Sequence, residues 1–189
     1  MDTLTPLVPG VNSRPARSPA AIVVRAQEAE ELEFPDLSSI RLLTDSPETG
    51  GTLSVHRASL RHGGLGASPH HHLTATEVFY VLSGSVQLLV GEVLAVANEG
   101  DLAVVPPGMA HAFAAAPGGD AELVVAVIPG IERFELFRRL ARAAAGLEAP
   151  GTLLDDQSDY DTYASDSPAW RQARHLDQPT PKPAAKNTP

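Results

Sequence analysis

Between Ala20 and Ile128 the chain repeats short apolar runs broken by glycine and proline. Eight are strand-length: "AIVV", "SIRLL", "TLSVHRASL", "EVFYVL", "SVQLLV", "VLAVA", "DLAVV" and "ELVVAVI". Their β-branched content and even spacing suit a sandwich or barrel, and no helical period interrupts them. After Pro129–Gly130 the period changes. Ile131, Phe134, Phe137, Leu140, Ala141 and Ala144 recur at helical spacing, and Gly146 is placed to end the helix. The pattern predicts one amphipathic helix over 131–146, with Arg133, Arg138, Arg139 and Arg142 on its solvated face.

The flanks read differently. Residues 1–19 hold four prolines and no hydrophobic period, which predicts a mobile arm before a β-barrel at 20–130. Residues 147–174 are acidic yet carry Tyr160, Tyr163 and the only tryptophan, Trp170. Large aromatics favour burial and the aspartates favour water, so this segment is expected along the outside of the barrel, aromatic side inward. The low-complexity stretch 175–189 is expected to be disordered.

Composition removes several classes. Cysteine is absent, which excludes disulfides, thiolate metal sites and a cysteine nucleophile. A formal charge of −9 disfavours nucleic acid and anionic membranes as partners. No apolar run approaches the ~20 residues of a membrane span, and the N-terminus lacks the apolar core of a secretory signal. The chain reads as a soluble, cytoplasmic protein. "GGLG" at 63–66 is a loop without the lysine of a phosphate-cradling motif, and no HExxH or GxSxG occurs.

The chemistry concentrates in "SPHHHLTATEVFYVLSG". On an extended strand His70 and His72 share one face while His71 points away. Glu77, Phe79 and Val81 share a face of the next strand, and "GDLAVVPPGMAHAF" adds His111, with Phe113 on its face. Three neutral imidazoles and a carboxylate suit one divalent transition ion with open positions: iron, nickel, cobalt, manganese or zinc. His71 reads as a surface or supporting residue, and His56 and His62 as ordinary polar positions. Gly84 and Gly100 are expected at hairpin turns. Pro106–Pro107 and Gly108 form a fixed bend that presents His111.

These residues resemble the cupin motifs. The first, G-x5-H-x-H-x4-E-x6-G, is matched by Gly64, His70, His72, Glu77 and Gly84. The second, G-x5-P-x-G-x2-H-x3-N, is matched by Gly100, Pro106, Gly108 and His111, with Ala115 in place of Asn. The resemblance implies an all-β fold: a double-stranded β-helix (jelly-roll-type) barrel, with a metal held by His70, His72, Glu77 and His111. The lost Asn is not a ligand in the family pattern.

The layout of one barrel, then "PGIERFELFRRL" and an extended "YDTY…SPAW" segment, is similar to the flavonol (quercetin) dioxygenase-like monocupins. That resemblance implies an oxidoreductase using dioxygen and a small oxygen-rich enol or phenol. Glu77 would then be ligand and general base, and Phe79, Val81 and Phe113 the substrate pocket. A redox-neutral cyclase, isomerase or dehydratase of small-molecule biosynthesis uses the same ligand set, and a non-catalytic small-molecule-binding cupin is the third reading. Exposed strand edges in a single barrel favour a homodimer.

Overall fold

One strand organises the molecule. In the computed structural model, which describes residues 21–36, 38–149 and 158–175, β5 (Thr76–Val90) runs 15 residues without a break. Its first half pairs with β9 (Ala121–Ile128) and β7 (Leu102–Val105); its second half pairs with β8 (His111–Ala115) and β6 (Val93–Asn98). The two runs "EVFYVL" and "SVQLLV" are therefore one strand, not the two arms of a hairpin. Gly84, with φ of +73°, is the corner where the strand passes from one sheet to the other. A Cβ there would lie 2.1 Å from the Asp120 carbonyl oxygen, so both the backbone and the packing exclude a side chain. The hairpin expectation fails because positive φ marks a sharp bend without saying whether the chain reverses. Gly100 does lie in a reverse turn, between β6 and β7.

The remaining strands complete an antiparallel barrel. β1 (Glu31–Glu33), β2 (Ser39–Thr44) and β3 (Ser54–Leu60) extend one sheet from β9. β4 (Leu65–His71) pairs with β8, and β10 (Tyr163–Ala164) adds to the far edge of β4. The "GGLG" stretch thus already enters a strand at Leu65. "AIVV" forms none: it has no partner strand, and Val23 is 70% exposed. An apolar run becomes a strand only where a neighbour satisfies its backbone.

Alternation builds the core. Ser54, His56, Ala58 and Leu60 of β3 are buried while the residues between them are partly exposed, and Leu123, Val125 and Val127 of β9 repeat the pattern. With Phe79, Val81, Val86 and Leu88 of β5 and Phe113 of β8, the inward residues fill the barrel beside the polar cluster. Burying each large side chain contributes ~1.5–3 kcal/mol.

β8 is buried on both faces. Its outer alanines, Ala112 and Ala114, leave room for Trp170, which is fully buried against them and Leu89. Trp170 belongs to α2 (Pro168–Ala173), where the Ser167 hydroxyl accepts from the Trp170 N–H at 3.2 Å and caps the helix. No helix among the described residues is long and apolar enough to cross a membrane.

α1 (Phe134–Ala144) follows β9 and lies over one end of the barrel. Its first turn is capped from a distance, because the Asp45 carboxylate accepts from the backbone N–H of Arg133 (3.0 and 3.1 Å) and of Phe134 (2.9 Å). Gly146, with φ of +73°, ends it: the Gly146 N–H donates to Ala143 and the Leu147 N–H to Arg142. Arg138 and Arg142 face outward and pair with Glu30 and with Glu135 and Glu148. Arg133 does not. Its side chain is 8% exposed and turns into the barrel, which corrects its assignment to the solvated face. The proposed arm at 1–19, Asp155 and Asp156 and nearly all of the 175–189 tail lie outside the described residues.

Candidate metal centre

Three strand positions and one residue just past the end of β4 bring four candidate ligands together. His70 follows an irregularity in β4: Ala67 pairs with Phe113 and His70 with His111, so three steps on β4 match two on β8. This bulge at Ser68–Pro69 lets Ala67 and His70 both face inward, although they are an odd number of residues apart. His72 shares the facing of His70, Glu77 begins the inward face of β5, and His111 opens β8. All four are buried, and their ligand atoms lie within 4.8 Å of one another. They form a cluster that could hold a metal ion.

Each ring is oriented the same way. Nδ1 of His70 is 2.8 Å from the Ser68 carbonyl oxygen, Nδ1 of His111 is 2.9 Å from that of Met109, and Nδ1 of His72 is 2.5 Å from that of Asp161. A carbonyl only accepts, so each Nδ1 carries a proton and each Nε2 is left to face the cluster. The Glu77 Oε2 faces all three, 2.7 Å from His111 Nε2, 3.5 Å from His72 Nε2 and 3.9 Å from His70 Nε2. Nε2 of His70 and of His72 are buried without any hydrogen-bond partner. Buried lone pairs converging on a carboxylate repel unless a proton or cation lies between them. A divalent cation fits this donor set of three imidazoles and one carboxylate.

The electrostatics agree. Burial pushes His70 down to about 3, against the opposing pull of Glu77, so its ring is neutral near pH 7. Burial alone would raise Glu77, but the imidazoles of His111 and His72, and then the Arg133 guanidinium, hold its carboxyl well below the usual range. Glu77 is an anion with one oxygen on the imidazoles and the other, Oε1, accepting from Arg133 Nη1 at 3.1 Å.

A cavity of about 540 Å³ opens beside the cluster, bounded by His70, Glu77, Arg133 and His56. That size is typical of small-molecule sites. Of the three residues expected to wall the substrate pocket, Phe113 borders it. Phe79 and Val81 lie in the core behind, where the Phe79 ring packs 5.3 Å from Phe113 and 6.1 Å from His111. Gly66 also lines the cavity; a Cβ on it would meet the Phe113 ring at 2.0 Å. The outer wall comes from α1, through Leu136, Phe137 and Leu140.

Three contributors escape the sequence reading. His56 is not an ordinary polar position: it is buried, pushed down to about 3 chiefly by burial and then by Arg133, and packed 4.6 Å from Phe137. The alternation of "SVHRASL" could have placed it inward. Arg133 stands at the N-terminus of a helix, where a cation opposes the dipole, and that anomaly was its available signal. Asp161 adopts a positive φ of 42° and accepts from the backbone of Leu73 and Thr74 while its carbonyl orients His72; no local pattern announces this. His71 faces the same C-terminal segment, stacked on Tyr163 and within hydrogen-bond distance of Ser165. His62 is exposed beside Asp120.

Residues 56–128 match the Cupin domain. No curated protein matches the chain. Among solved structures, a predicted oxalate decarboxylase from Thermotoga maritima is 19% identical with a TM-score of 0.51, covering 57% of this chain and 99% of that one. An RmlC-like cupin from Shewanella frigidimarina is 20% identical with a TM-score of 0.51, covering 61% and 96%. A Streptomyces nucleoside dehydratase is 19% identical with a TM-score of 0.48, covering 60% and 87%. At such identities the likeness speaks to the fold and leaves substrate and reaction open. The buried cluster of His70, His72, Glu77 and His111 therefore sits in a cupin barrel, within a segment that matches the Cupin domain.

Proposed function

We propose that the protein is a metal-dependent enzyme acting on a small oxygen-rich metabolite, an enol, phenol or polyketide-like compound, with dioxygen as co-substrate in the manner of a quercetinase. One observation carries the metal-dependent reading: three buried imidazoles, all fixed by Nδ1–H, turn their Nε2 atoms toward one carboxylate beside an apolar-walled cavity. A divalent ion held there would supply Lewis acidity and an open position for an oxygen ligand. His70, His72, His111 and Glu77 would hold it. Arg133 keeps Glu77 ionised and restricts it to one ligating oxygen, while Phe113, Phe137 and Leu140 exclude water from the rest of the cavity.

A second reading, a redox-neutral isomerase, cyclase or dehydratase, is favoured by a different observation. Besides Glu77, which is paired with Arg133, the cavity wall carries His56, a neutral imidazole that can hydrogen-bond a substrate without any change of oxidation state. Oxygen-electrode traces with quercetin and related enols, run beside anaerobic product analysis by mass spectrometry, separate the two. Oxygen uptake matched to substrate loss supports the dioxygenase; conversion at unchanged mass, or with loss of water, under argon supports the alternative. Metal-saturated Glu77→Gln tests the base: a loss of ~10²–10⁴-fold in turnover assigns the proton to Glu77, and full activity places the base elsewhere.

We also propose a cytoplasmic homodimer. The outer faces of β5, β7 and β9 align Tyr80 with Leu102 and Val124, and Val78 with Val104 and Ala126. Leu102 and Val104 are more than half exposed, an apolar strip a second copy would cover. Light scattering of Leu102→Glu, Val104→Glu should report a monomer where the wild type reports a dimer.

A further inference from the structure

Arg133 and His56 share the cavity wall between the histidine cluster and α1, and metal binding leaves both with unused hydrogen-bonding capacity. Among the described residues, the guanidinium of Arg133 makes one hydrogen bond, to Glu77 Oε1. Its Nε is buried without a partner, and its flat face lies 5.1 Å from the Phe137 ring centroid. Its backbone is anchored beside the cavity, because its own N–H and that of Phe134 are tied to Asp45. A planar cation with five N–H donors, held in a buried wall with most of them idle, is built to take a second anion. Glu77 does not fill that role alone, since its other oxygen is committed to the imidazoles. His56 adds a neutral ring with one donor and one acceptor on the same wall. The surfaces around this polar pair are apolar: Phe34, Ile40, Phe113, Leu136, Phe137 and Leu140.

We propose that Arg133, assisted by His56, recognises and positions an anionic oxygen of the substrate, so that the ligand class is an organic anion with a flat apolar body: an aromatic carboxylate, enolate or phenolate. This deepens the proposed function and rests on its assignment of the cavity as the substrate site. The charge of the ligand is read by Arg133 and its carbon skeleton by the aromatic and leucine walls.

Calorimetric titration with 2-naphthoate and its neutral isostere 2-naphthamide tests this, in metal-loaded and in metal-stripped protein. Wild type should prefer the carboxylate by about 10- to 100-fold, the range of a charged hydrogen bond, in both forms. Arg133→Gln should abolish the preference in both. Arg133→Lys, which keeps the charge and loses the fork, should retain part of it, and supplies the reading if the glutamine variant does not fold. His56→Phe should weaken 2-naphthoate several-fold and leave metal content unchanged. Equal binding of the two probes by wild type, or a preference that survives loss of the guanidinium, overturns the proposal. A preference that disappears when wild type is stripped of metal also overturns it, because the ion and not Arg133 would then be reading the anion. If the protein retains no metal at all, the metal-dependent reading fails while the stripped arm still decides this one.

Discussion

The two sides of the cavity are held by different means. On the histidine side every ligand comes from a strand or its immediate end, and each ring is tethered to a backbone carbonyl. On the helix side, Arg133, Leu136 and Phe137 depend on α1, whose N-terminus hangs on the single carboxylate of Asp45. Its outer face carries ion pairs such as Arg138–Glu30, which at a surface are worth ~0–1 kcal/mol each. The difference separates tasks. Strand pairing fixes the geometry an ion requires, and a more weakly tethered helix carries the residues proposed to meet a ligand. Leu136 and Phe137 touch none of the four histidine-side residues through a hydrogen bond, whereas Arg133 joins the two sides through Glu77.

The largest effect should fall on the histidine side. His72→Ala, His111→Ala should lose the ion outright, measured as metal per chain by plasma mass spectrometry; near-stoichiometric metal in that variant would break the comparison at its root. Next comes Trp170→Ala, expected to cost ~3–5 kcal/mol in chemical denaturation because the indole is fully buried against β8. Since Asp161, in the same segment, orients His72, this variant should also bind metal more weakly.

Asp45→Ala should cost less, ~2 kcal/mol, the scale of a lost helix cap. It should loosen ligand binding while metal content stays near wild type. Equal loss of metal and ligand would show that the two sides are one unit.

The smallest effect is a pH slope. His70 and His56 stay neutral in the fold down to about 3, whereas in the unfolded chain they take up protons near ~6.5. The unfolded state binds more protons in that window, so stability is greatest above pH 6.5 and falls as pH drops, by up to ~1.4 kcal/mol per pH unit for each ring. Melting of metal-stripped His56→Phe between pH 6.5 and 5 should show a shallower slope than wild type, and an identical slope would mean His56 is not buried neutral.

The same division governs what was legible in the sequence. His70, His72, Glu77 and His111 sit at spacings that strand alternation converts directly into a common face. The cupin motifs order them, and the structure brings them together. The helix-side residues are placed by long-range events. Arg133 lies at the border of a correctly read amphipathic helix, but helical period describes the helix and not the residue before its first turn, which turns back to Glu77. His56 obeys the strand alternation, yet an imidazole on a strand looks like any polar residue until its neighbours at 54, 58 and 60 are seen to be buried. Asp161 acts on residues more than eighty positions away, beyond any local pattern.

Because β5 threads both sheets, its length is under a constraint the turns escape. One inserted residue beyond Gly84 would leave Glu77 in place but reverse the facing of Val86 and Leu88, turning them out of the barrel interior and Gln87 into it. An insertion before Gly84 would break the match with β9 and move the corner away from Asp120. Related chains should therefore vary in length at the turns around Gly91 and Gly118, where added atoms meet open space, while the positions of β5 other than Gly84 admit substitutions but neither gains nor losses.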